Sequence, residues 1–208
     1  MAEEYTKEGD IMCFSEKIEG ERIVLERARP SFQLAEELYV LAQASKATLI
    51  PWLSWAEVQK TPEDEYNYLL TWCEEHWKAE SGYTYVIREK EHEFALGMID
   101  FLGIDATNKS GEIGYWLSIN AVGKGYMHEA VLLLEDEIFN RGFQRIVIRN
   151  DTRNIRSANV AQRAGYKLEG IMRQNRWSKT EKIFVDSNLW AKILPEWQES
   201  KKLASKRG

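Results

Sequence analysis

The 208-residue sequence has few of the features that mark membrane, secreted or fibrous proteins. Its mean hydropathy is −0.49, and it lacks an apolar run near the roughly 18 residues that a membrane-spanning helix needs. Two cysteines, Cys13 and Cys73, are too few for a disulfide framework, so we expect reduced thiols. Four prolines and 13 glycines exclude collagen-like and low-complexity chains. The first residues contain neither a basic nor an apolar stretch, so we expect a cytoplasmic protein without a secretion signal.

What the sequence does contain is enough apolar material for one large core. Hydrophobic residues make up 44% and aromatic residues 12%, and the length is that of a single domain. The net charge of −5 is unevenly divided, because residues 1–140 have a balance of −15 and residues 141–182 a balance of +8. The basic part suits an anionic ligand and the acidic part a cationic one, although solvated surface charge alone would produce the same pattern.

Hydrophobic periodicity predicts alternating strands and helices in a mixed α/β single domain. One helix has clear end signals, with Thr61 as its N-cap and Pro62 at its first position. The predicted strands are 22–28, 83–88, 94–104, 112–119, 146–149, 168–176 and 182–191. The predicted helices begin near residues 31, 62, 126, 155 and 195.

The most informative motif is the glycine turn Gly123-Lys124-Gly125, between a predicted strand and a predicted helix. Glycines allow a ligand close to the backbone, and the first N–H groups of a helix have no intrahelical partners, so this arrangement binds anions well. His128 occupies the place of the third glycine of a dinucleotide-binding fingerprint, and the P-loop pattern is absent. Taken alone, the motif is also compatible with an ordinary tight turn.

A second motif follows at residues 154–166, with the pattern Asn-x-x-Ser-x-x-x-Ala-x-x-x-Gly-Tyr. Together with the glycine turn, it resembles the two cofactor-binding motifs of the GNAT superfamily of acetyl-CoA-dependent N-acetyltransferases. The segments 112–117 and 51–55 resemble its ribosomal-protein N-terminal (serine/alanine) acetyltransferase branch. The resemblance covers residues 20–193, and Asn120 departs from it where the family prefers Gln or Arg.

The resemblance implies a mixed, mostly antiparallel sheet of about seven strands, splayed at the cofactor site and flanked by helices. The acetyltransferase domain would span residues 20–193, preceded by an extension (1–19) and followed by a tail (194–208). Acetyl-CoA would be the co-substrate, its pyrophosphate on the glycine turn and its pantetheine along a strand edge. The implied cofactor-binding residues are Leu117, Ser118, Ile119, Gly123, Lys124, Gly125, Tyr126, Met127, Asn154 and Ser157.

Acetyl transfer to an amine requires a neutral amine, a polarised carbonyl and a protonated leaving thiolate. Glu112 is the candidate that attracts the acceptor ammonium and then takes its proton, and Ser157, by the resemblance, would donate to the CoA sulfur. A backbone N–H at the strand edge would polarise the thioester carbonyl. Both side chains also have structural interpretations: Glu112 as a strand carboxylate or ion-pair member, and Ser157 as a helix serine bonded to backbone or solvent.

The eight tryptophans suggest an aromatic acceptor groove. The candidates for that groove are Trp52, Trp55, Trp116 and Trp177. Core packing is the other interpretation, and we favour it for Trp72, Trp77 and Trp190.

The favoured acceptor is the N-terminal α-amino group of a protein, by the resemblance a ribosomal one. A small amine, such as an aminoacyl-nucleotide antibiotic or a polyamine, is the alternative, and a non-catalytic acyl-CoA sensor is the second. We expect no metal, because Cys73-x-x-His76 has no second ligand pair. Direct nucleic-acid binding is not expected either, because the arginines of 141–182 alternate with apolar positions. The chain is expected to be a monomer or a homodimer.

Overall fold

Eight strands form one mixed sheet in the computed structural model, in which residues 14–206 are described. The strands are β1 (Lys17–Glu19), β2 (Ile23–Arg27), β3 (Tyr83–Glu89), β4 (Ala95–Asp105), β5 (Ser110–Leu117), β6 (Arg145–Asp151), β7 (Lys167–Ser178) and β8 (Ile183–Ile193). Their spatial order is β1-β2-β3-β4-β5-β6-β8-β7. Neighbouring strands are antiparallel except β5 and β6, which run parallel.

Helices cover both faces of the sheet. They are α1 (Phe32–Ala44), α2 (Lys46–Leu49), α3 (Trp55–Val58), α4 (Pro62–Tyr68), α5 (Glu74–Lys78), α6 (Tyr126–Asn140), α7 (Ile155–Arg163) and α8 (Leu194–Ser205). The predicted start at Thr61 is confirmed, because its hydroxyl accepts the N–H of Asp64 and the Asp64 carboxylate accepts the N–H of Thr61. A π-helical turn, Leu69–Cys73, joins α4 to α5.

The α/β fold class is as predicted, with one strand more than the expected seven. The additional strand is β1, which pairs with β2 so that Ile18 lies opposite Leu25. This strand lies within the segment predicted as an N-terminal extension. Its three residues are too few for an alternating pattern to be recognised in the sequence. Cys13, predicted to be a reduced thiol, lies outside the described residues.

Two hydrophobic clusters hold the helices against the sheet. The larger one joins α6 and α7 to one face, with Leu134 of α6 and Ile148 of β6 among its buried members. The smaller one joins α1 and the α4–α5 helix to the other face, with Leu38 of α1 and Met98 of β4 among its members. Burial of such side chains stabilises the fold by roughly 1.5–3 kcal/mol each. The sheet therefore lies between two layers of helices.

A buried ion pair fixes the two helices that frame the site. Lys192 of β8 lies 2.8 Å from both carboxylate oxygens of Glu135 on α6, and it also donates to the carbonyl of Ala164 after α7. Both charged side chains are almost fully buried. Removing one partner from such a pair typically costs about 3–5 kcal/mol, because it leaves the other charge buried and unpaired. The pair therefore ties α6, α7 and β8 together.

Among residues 14–206, no helix is long and apolar enough to cross a membrane.

Candidate active site

A cleft opens where the two parallel strands separate. β5 and β6 pair from Ser110–Arg145 to Glu112–Val147 and then diverge, while β6 continues alongside β8. The cleft has a volume of about 740 Å³ and is lined by β5, β6, the first turn of α6 and one face of α7. Of the predicted cofactor residues, it contains Leu117, Gly123, Gly125, Tyr126, Met127, Asn154 and Ser157.

The glycine turn forms one end of this cleft. Gly123 and Gly125 have φ angles of 85° and 83°, in the left-handed region that favours glycine over residues with a side chain. Gly125 is the N-cap of α6, and no side chain caps the helix there. The first N–H groups of α6, with the positive end of the helix dipole, therefore remain available to an anion.

Arg22, just before β2, braces the glycine turn. Its Nη1 donates to the carbonyl of Lys124 at 2.9 Å, and its Nε donates to Glu129 Oε2 at 2.9 Å. The guanidinium carbon lies 5.1 Å from the centre of the Tyr126 ring, whose hydroxyl donates to Glu89. The turn is thus fixed to Arg22, 102 residues earlier in the sequence, and to β3 through Glu89, 37 residues before Tyr126.

The backbone edge of β5 faces the cleft at two residues. Ser118 donates its N–H to Leu96 beside β4 at 2.8 Å. Because backbone groups alternate in direction along a strand, the N–H and C=O groups of Leu117 and Tyr115 point the opposite way, toward the diverging β6. Both residues lie beyond the last β5–β6 pair and line the cleft.

Three of the predicted cofactor residues lie outside the cleft lining of the described chain. The predicted strand 112–119 ends at Leu117, and Ser118 is buried. Ile119 begins a 3₁₀ turn and donates its N–H to Ser45 Oγ at 2.9 Å. Lys124 contributes its carbonyl to the Arg22 brace. The turn after β5 therefore directs the N–H groups of Ser118 and Ile119 to protein partners.

The second motif of the sequence meets β5 at Ser157. Asn154 caps α7, accepting the N–H of Ser157 at 3.1 Å. The Tyr115 hydroxyl lies 3.1 Å from Ser157 Oγ and donates to the Ser157 carbonyl at 3.2 Å. Burial raises the pKa of Tyr115 to about 12, so its hydroxyl stays protonated at neutral pH. Tyr115 is not among the residues predicted from the sequence. It alternates with Trp116 along β5, so the two side chains lie on opposite faces, and that of Tyr115 contacts α7 at Ser157.

The opposite wall of the cleft carries two carboxylates, each paired with arginine. Glu112 accepts from Arg149 Nε at 2.8 Å. Asp151 accepts from Arg153 Nη2 at 2.8 Å and from Arg176 Nη2 at 3.1 Å. Burial opposes ionisation of Asp151, yet the bonds from Arg153 hold the pKa of its carboxyl below its usual value. Glu112 is thus both in the cleft, as predicted, and in an ion pair, the structural alternative to a catalytic role.

A third carboxyl group lies behind this wall. Asp100 Oδ1 on β4 accepts the N–H of Gly114 at 3.1 Å, and a Cβ on Gly114 would lie 2.5 Å from the same oxygen. Gly114 therefore makes room for the Asp100 side chain. Burial raises the pKa of Asp100 to about 7, and the negative charge of Glu112 adds to the rise. The hydrogen bond from the Gly114 N–H acts in the opposite direction but is the smaller effect.

The four tryptophans predicted to form an acceptor groove do not all meet. Trp52 and Trp116 line the cleft. Trp55 packs edge-on against Trp116, with ring centres 5.5 Å apart, from behind the lining. Trp177 lies on the exposed β7–β8 hairpin against Phe184 and outside the lining. The hairpin carries Trp177 away from the cleft although Arg176, its neighbour in sequence, is part of it.

The remaining predictions for tryptophan and cysteine have mixed outcomes. Trp77 is buried in the core as predicted, whereas Trp72 is 43% exposed and stacks on His76 with ring centres 4.1 Å apart. Cys73 is buried, and burial raises its pKa to about 12. Within residues 14–206, no group of three or more His, Cys, Asp or Glu side chains is arranged to hold a metal ion.

Comparison with known proteins assigns the chain to a family. Residues 22–167, well over half of the chain, match the model described as the acetyltransferase (GNAT) domain. The chain belongs to the GNAT acetyltransferase family. It is 30% identical over 158 residues to the ribosomal-protein-serine acetyltransferase of Escherichia coli (strain K12), which covers 76% of this chain and 86% of that protein. This GNAT protein is accordingly an acyltransferase.

Two solved structures share the fold of this chain. One is the microcin C7 self-immunity acetyltransferase MccE in complex with acetyl-CoA and AMP, at 27% identity and a TM-score of 0.79, covering 88% of this chain and 99% of that one. The other is RimL, the ribosomal L7/L12 α-N-protein acetyltransferase, in complex with coenzyme A. It is 27% identical with a TM-score of 0.78 and covers 86% of this chain and 98% of that one. The predicted membership of the GNAT superfamily, in its ribosomal-protein branch, is confirmed.

Proposed function

We propose that this acetyltransferase uses acetyl-CoA to acetylate the N-terminal α-amino group of a protein, specifically a ribosomal one. The observation that carries the proposal is the open backbone edge of Tyr115 and Leu117, in one cleft with the uncapped first turn of α6. The first turn of α6 suits the anionic group of a ligand, and the open strand edge suits a chain of amides attached to that group. The similarity to a ribosomal-protein-serine acetyltransferase supports the acceptor class.

The residues of the cleft fit acetyl-CoA at each of its parts. The N–H groups from Gly123 to Met127 would bind the pyrophosphate. The N–H and C=O groups of Leu117 and Tyr115 would pair with the pantetheine amides, and Asn154 at the cap of α7 would bond the same chain. An unpaired backbone N–H at this edge, aimed at the thioester oxygen, would polarise it; such a donor contributes roughly 3–4 kcal/mol in other enzymes.

Acetyl-CoA supplies an acetyl thioester, so that an amide C–N bond forms as the C–S bond breaks, the amine loses a proton and the sulfur gains one. Ser157 would hold the proton for the sulfur, since its Oγ lies within hydrogen-bond distance of the protonated Tyr115 hydroxyl. Glu112 would attract the acceptor ammonium and take the proton that the amine loses. Arg149 holds the Glu112 carboxylate at the cleft wall for that role.

The acceptor would enter beside Trp52 and Trp116, which line the same cleft as Glu112. An α-amino group has a pKa of roughly 7.7–8, so a substantial part of it is neutral near pH 7.5 without assistance. The second candidate acceptor is a small amine carrying a nucleotide. Two observations favour it: the flat rings in the cleft, on which a base could stack, and the similarity to an acetyltransferase solved with AMP.

The test is acetyl-CoA turnover, followed by thiol release. The acceptors are peptides that copy ribosomal-protein N-termini, the same peptides with a formylated N-terminus, polyamines and aminoacyl-sulfamoyl nucleotides. Turnover on free N-termini and none on the formylated controls is the expected result. Turnover only on small amines would replace the protein acceptor by a small molecule. Binding of acetyl-CoA without turnover on any amine would identify a sensor instead.

A further inference from the structure

Asp100 on β4 carries a carboxyl group that the proposed transfer does not use. The register of β4 and β5 places Asp100 directly opposite Gly114. Residues two apart along a strand project to the same side, so Glu112, Gly114 and Trp116 share one face of β5. All three line the cleft. Asp100 therefore lies next to a position on the cleft-facing side of β5 that has no side chain of its own.

The Asp100 carboxyl occupies the space that a side chain at position 114 would fill. A Cβ on Gly114 would lie 2.5 Å from Asp100 Oδ1, and the same oxygen accepts the Gly114 N–H at 3.1 Å. The carboxyl group is thus on the same side of β5 as the side chains of Glu112 and Trp116. Asp100 is half-buried and so keeps some access to solvent.

The surroundings of Asp100 contain no cation among the titratable groups that face it. These groups are Glu112 from β5, Tyr68 from the end of α4 and Cys73 from the π-helical turn. Burial raises the pKa of Tyr68 and of Cys73, so both stay protonated and neutral near pH 7. Burial also raises the pKa of Asp100 to about 7, so this carboxyl gains and loses a proton in the neutral range.

Glu112 is held in a different state by its partner. Arg149 contacts Glu112 Oε2 through both Nε and Nη2, the first at 2.8 Å. A proton on Glu112 would remove the counter-charge of Arg149, so this carboxylate suits the attraction of an ammonium group better than the retention of its proton. Two neighbouring carboxyl groups in such different environments commonly divide the roles in proton transfer.

We propose that Asp100 receives, by way of Glu112, the proton that the acceptor ammonium loses before it attacks the thioester. The inference rests on the proposed function. An N–H bond breaks, its electron pair stays on the nitrogen, and an O–H bond forms on Asp100, which returns the proton to solvent after the transfer. The proton that the nitrogen loses during the attack balances the one that Ser157 gives to the sulfur. The two steps lie on opposite faces of β5, because Ser157 contacts the Tyr115 face.

The experiment compares two acceptors of different basicity on the full chain. One is a peptide with a free N-terminus, which has a pKa of roughly 7.7–8 and is mostly an ammonium ion at pH 7. The other is the same peptide with an aminooxyacetyl group in place of its first residue. The oxygen next to that nitrogen makes it a weak base, so it is neutral at pH 7 and has no ammonium proton to lose. The measured quantity is kcat/KM for each acceptor.

Asp100→Asn removes the proton acceptor and keeps an oxygen for the Gly114 N–H. We expect kcat/KM at pH 7 to fall about 3- to 10-fold for the free N-terminus, since only its neutral fraction, roughly a tenth to a sixth, would then react. The value for the aminooxy peptide should not change. Gly114→Ala should cause the same selective loss, because its Cβ displaces the Asp100 carboxyl without removing it.

Asp105→Asn is the matched control, an aspartate on the same strand that bonds Asn108 and lies outside the cleft lining. It should leave both acceptors unaffected. An equal loss for the two acceptors in Asp100→Asn, or no loss for either, would overturn the inference and leave the proposed function intact. A wild-type protein that acetylates neither peptide would instead contradict the proposed function. Thermal melting identifies a variant that fails to fold, and Gly114→Ala then carries the test in place of Asp100→Asn.

Discussion

Replacing Arg22 by glutamine tests whether the glycine turn must be held from outside. The variant removes the bond to the Lys124 carbonyl, the ion pair with Glu129 and the stacking on Tyr126. It keeps the backbone N–H that donates to Glu129 at 2.8 Å, so the start of β2 should stay in place. The perturbation is therefore confined to the turn that we assign to the pyrophosphate.

The size of the effect follows from the three contacts. The Arg22 side chain is 47% exposed, so its ion pair contributes about 0.2–1 kcal/mol. The hydrogen bond to the carbonyl contributes about 1 kcal/mol and the ring contact about 0.5–1 kcal/mol. Part of the energy of these three contacts stabilises the fold whether or not a donor is bound. We therefore expect the variant to weaken donor binding by about 1 kcal/mol. This corresponds to a KM for acetyl-CoA about 3- to 10-fold higher, with kcat little changed.

The decisive assay compares acetyl-CoA with S-acetylpantetheine, a donor that lacks the phosphates. The KM for the shorter donor should not change, because that donor does not reach the glycine turn. Arg29→Gln is the control, since Arg29 pairs with Glu16 and is more exposed still. An equal increase in KM for both donors would show a general structural defect. No change for either donor would show that the turn holds its shape without Arg22.

Four further variants test the remaining assignments. Ser157→Ala should lower kcat by about 10- to 1000-fold at unchanged acetyl-CoA affinity, and an unaltered kcat would exclude proton donation. Gly125→Asp should abolish coenzyme A binding in calorimetry, because it strains a turn at φ 83° and adds a carboxylate; retained affinity would refute the pyrophosphate assignment. Glu112→Gln should move the pH–rate profile to higher pH, since the amine would deprotonate unaided, and an unmoved profile would exclude Glu112 as base. Because the pKa of Asp100 is raised, this carboxyl keeps its proton in the folded chain between about pH 4 and 7, whereas in the unfolded chain it has released it. The free energy of unfolding therefore falls as the pH rises through this window. Asp100→Asn should flatten that fall by up to about 1.4 kcal/mol per pH unit in urea denaturation, and an unchanged slope would contradict the buried carboxyl.

Local patterns were sufficient for most of the fold. The capping box at Thr61 and the glycine turn before α6 each depend on only a few adjacent residues, so the sequence predicts them directly. The short strand β1 could not be found in this way, because three residues form a strand only through their pairing with β2. The end of β5 at Leu117 depends on Leu96, which accepts the N–H of Ser118 from twenty-two residues away.

The candidate site was predictable where the family motif is contiguous and not where it depends on long-range contacts. Asn154 and Ser157 lie in one motif and meet in the cleft. Arg22 reaches the glycine turn from about a hundred residues earlier, and no sequence pattern marks it. Trp177 lies outside the cleft lining, because its pairing on the β7–β8 hairpin places it against Phe184, and this long-range pairing is not marked in the sequence.

The point where β5 and β6 diverge divides both the sheet and the chain into two parts. Strands β1 to β5 come from the first 117 residues, and β6 to β8 come from residue 145 onward, so the division between the two half-sheets is also a division of the chain. The first part carries the acidic excess of the sequence and the second the basic one. The two half-sheets that face each other across the cleft therefore belong to parts of the chain with opposite net charge. Charge of opposite sign on the two parts would favour the approach of an anionic donor from the basic part.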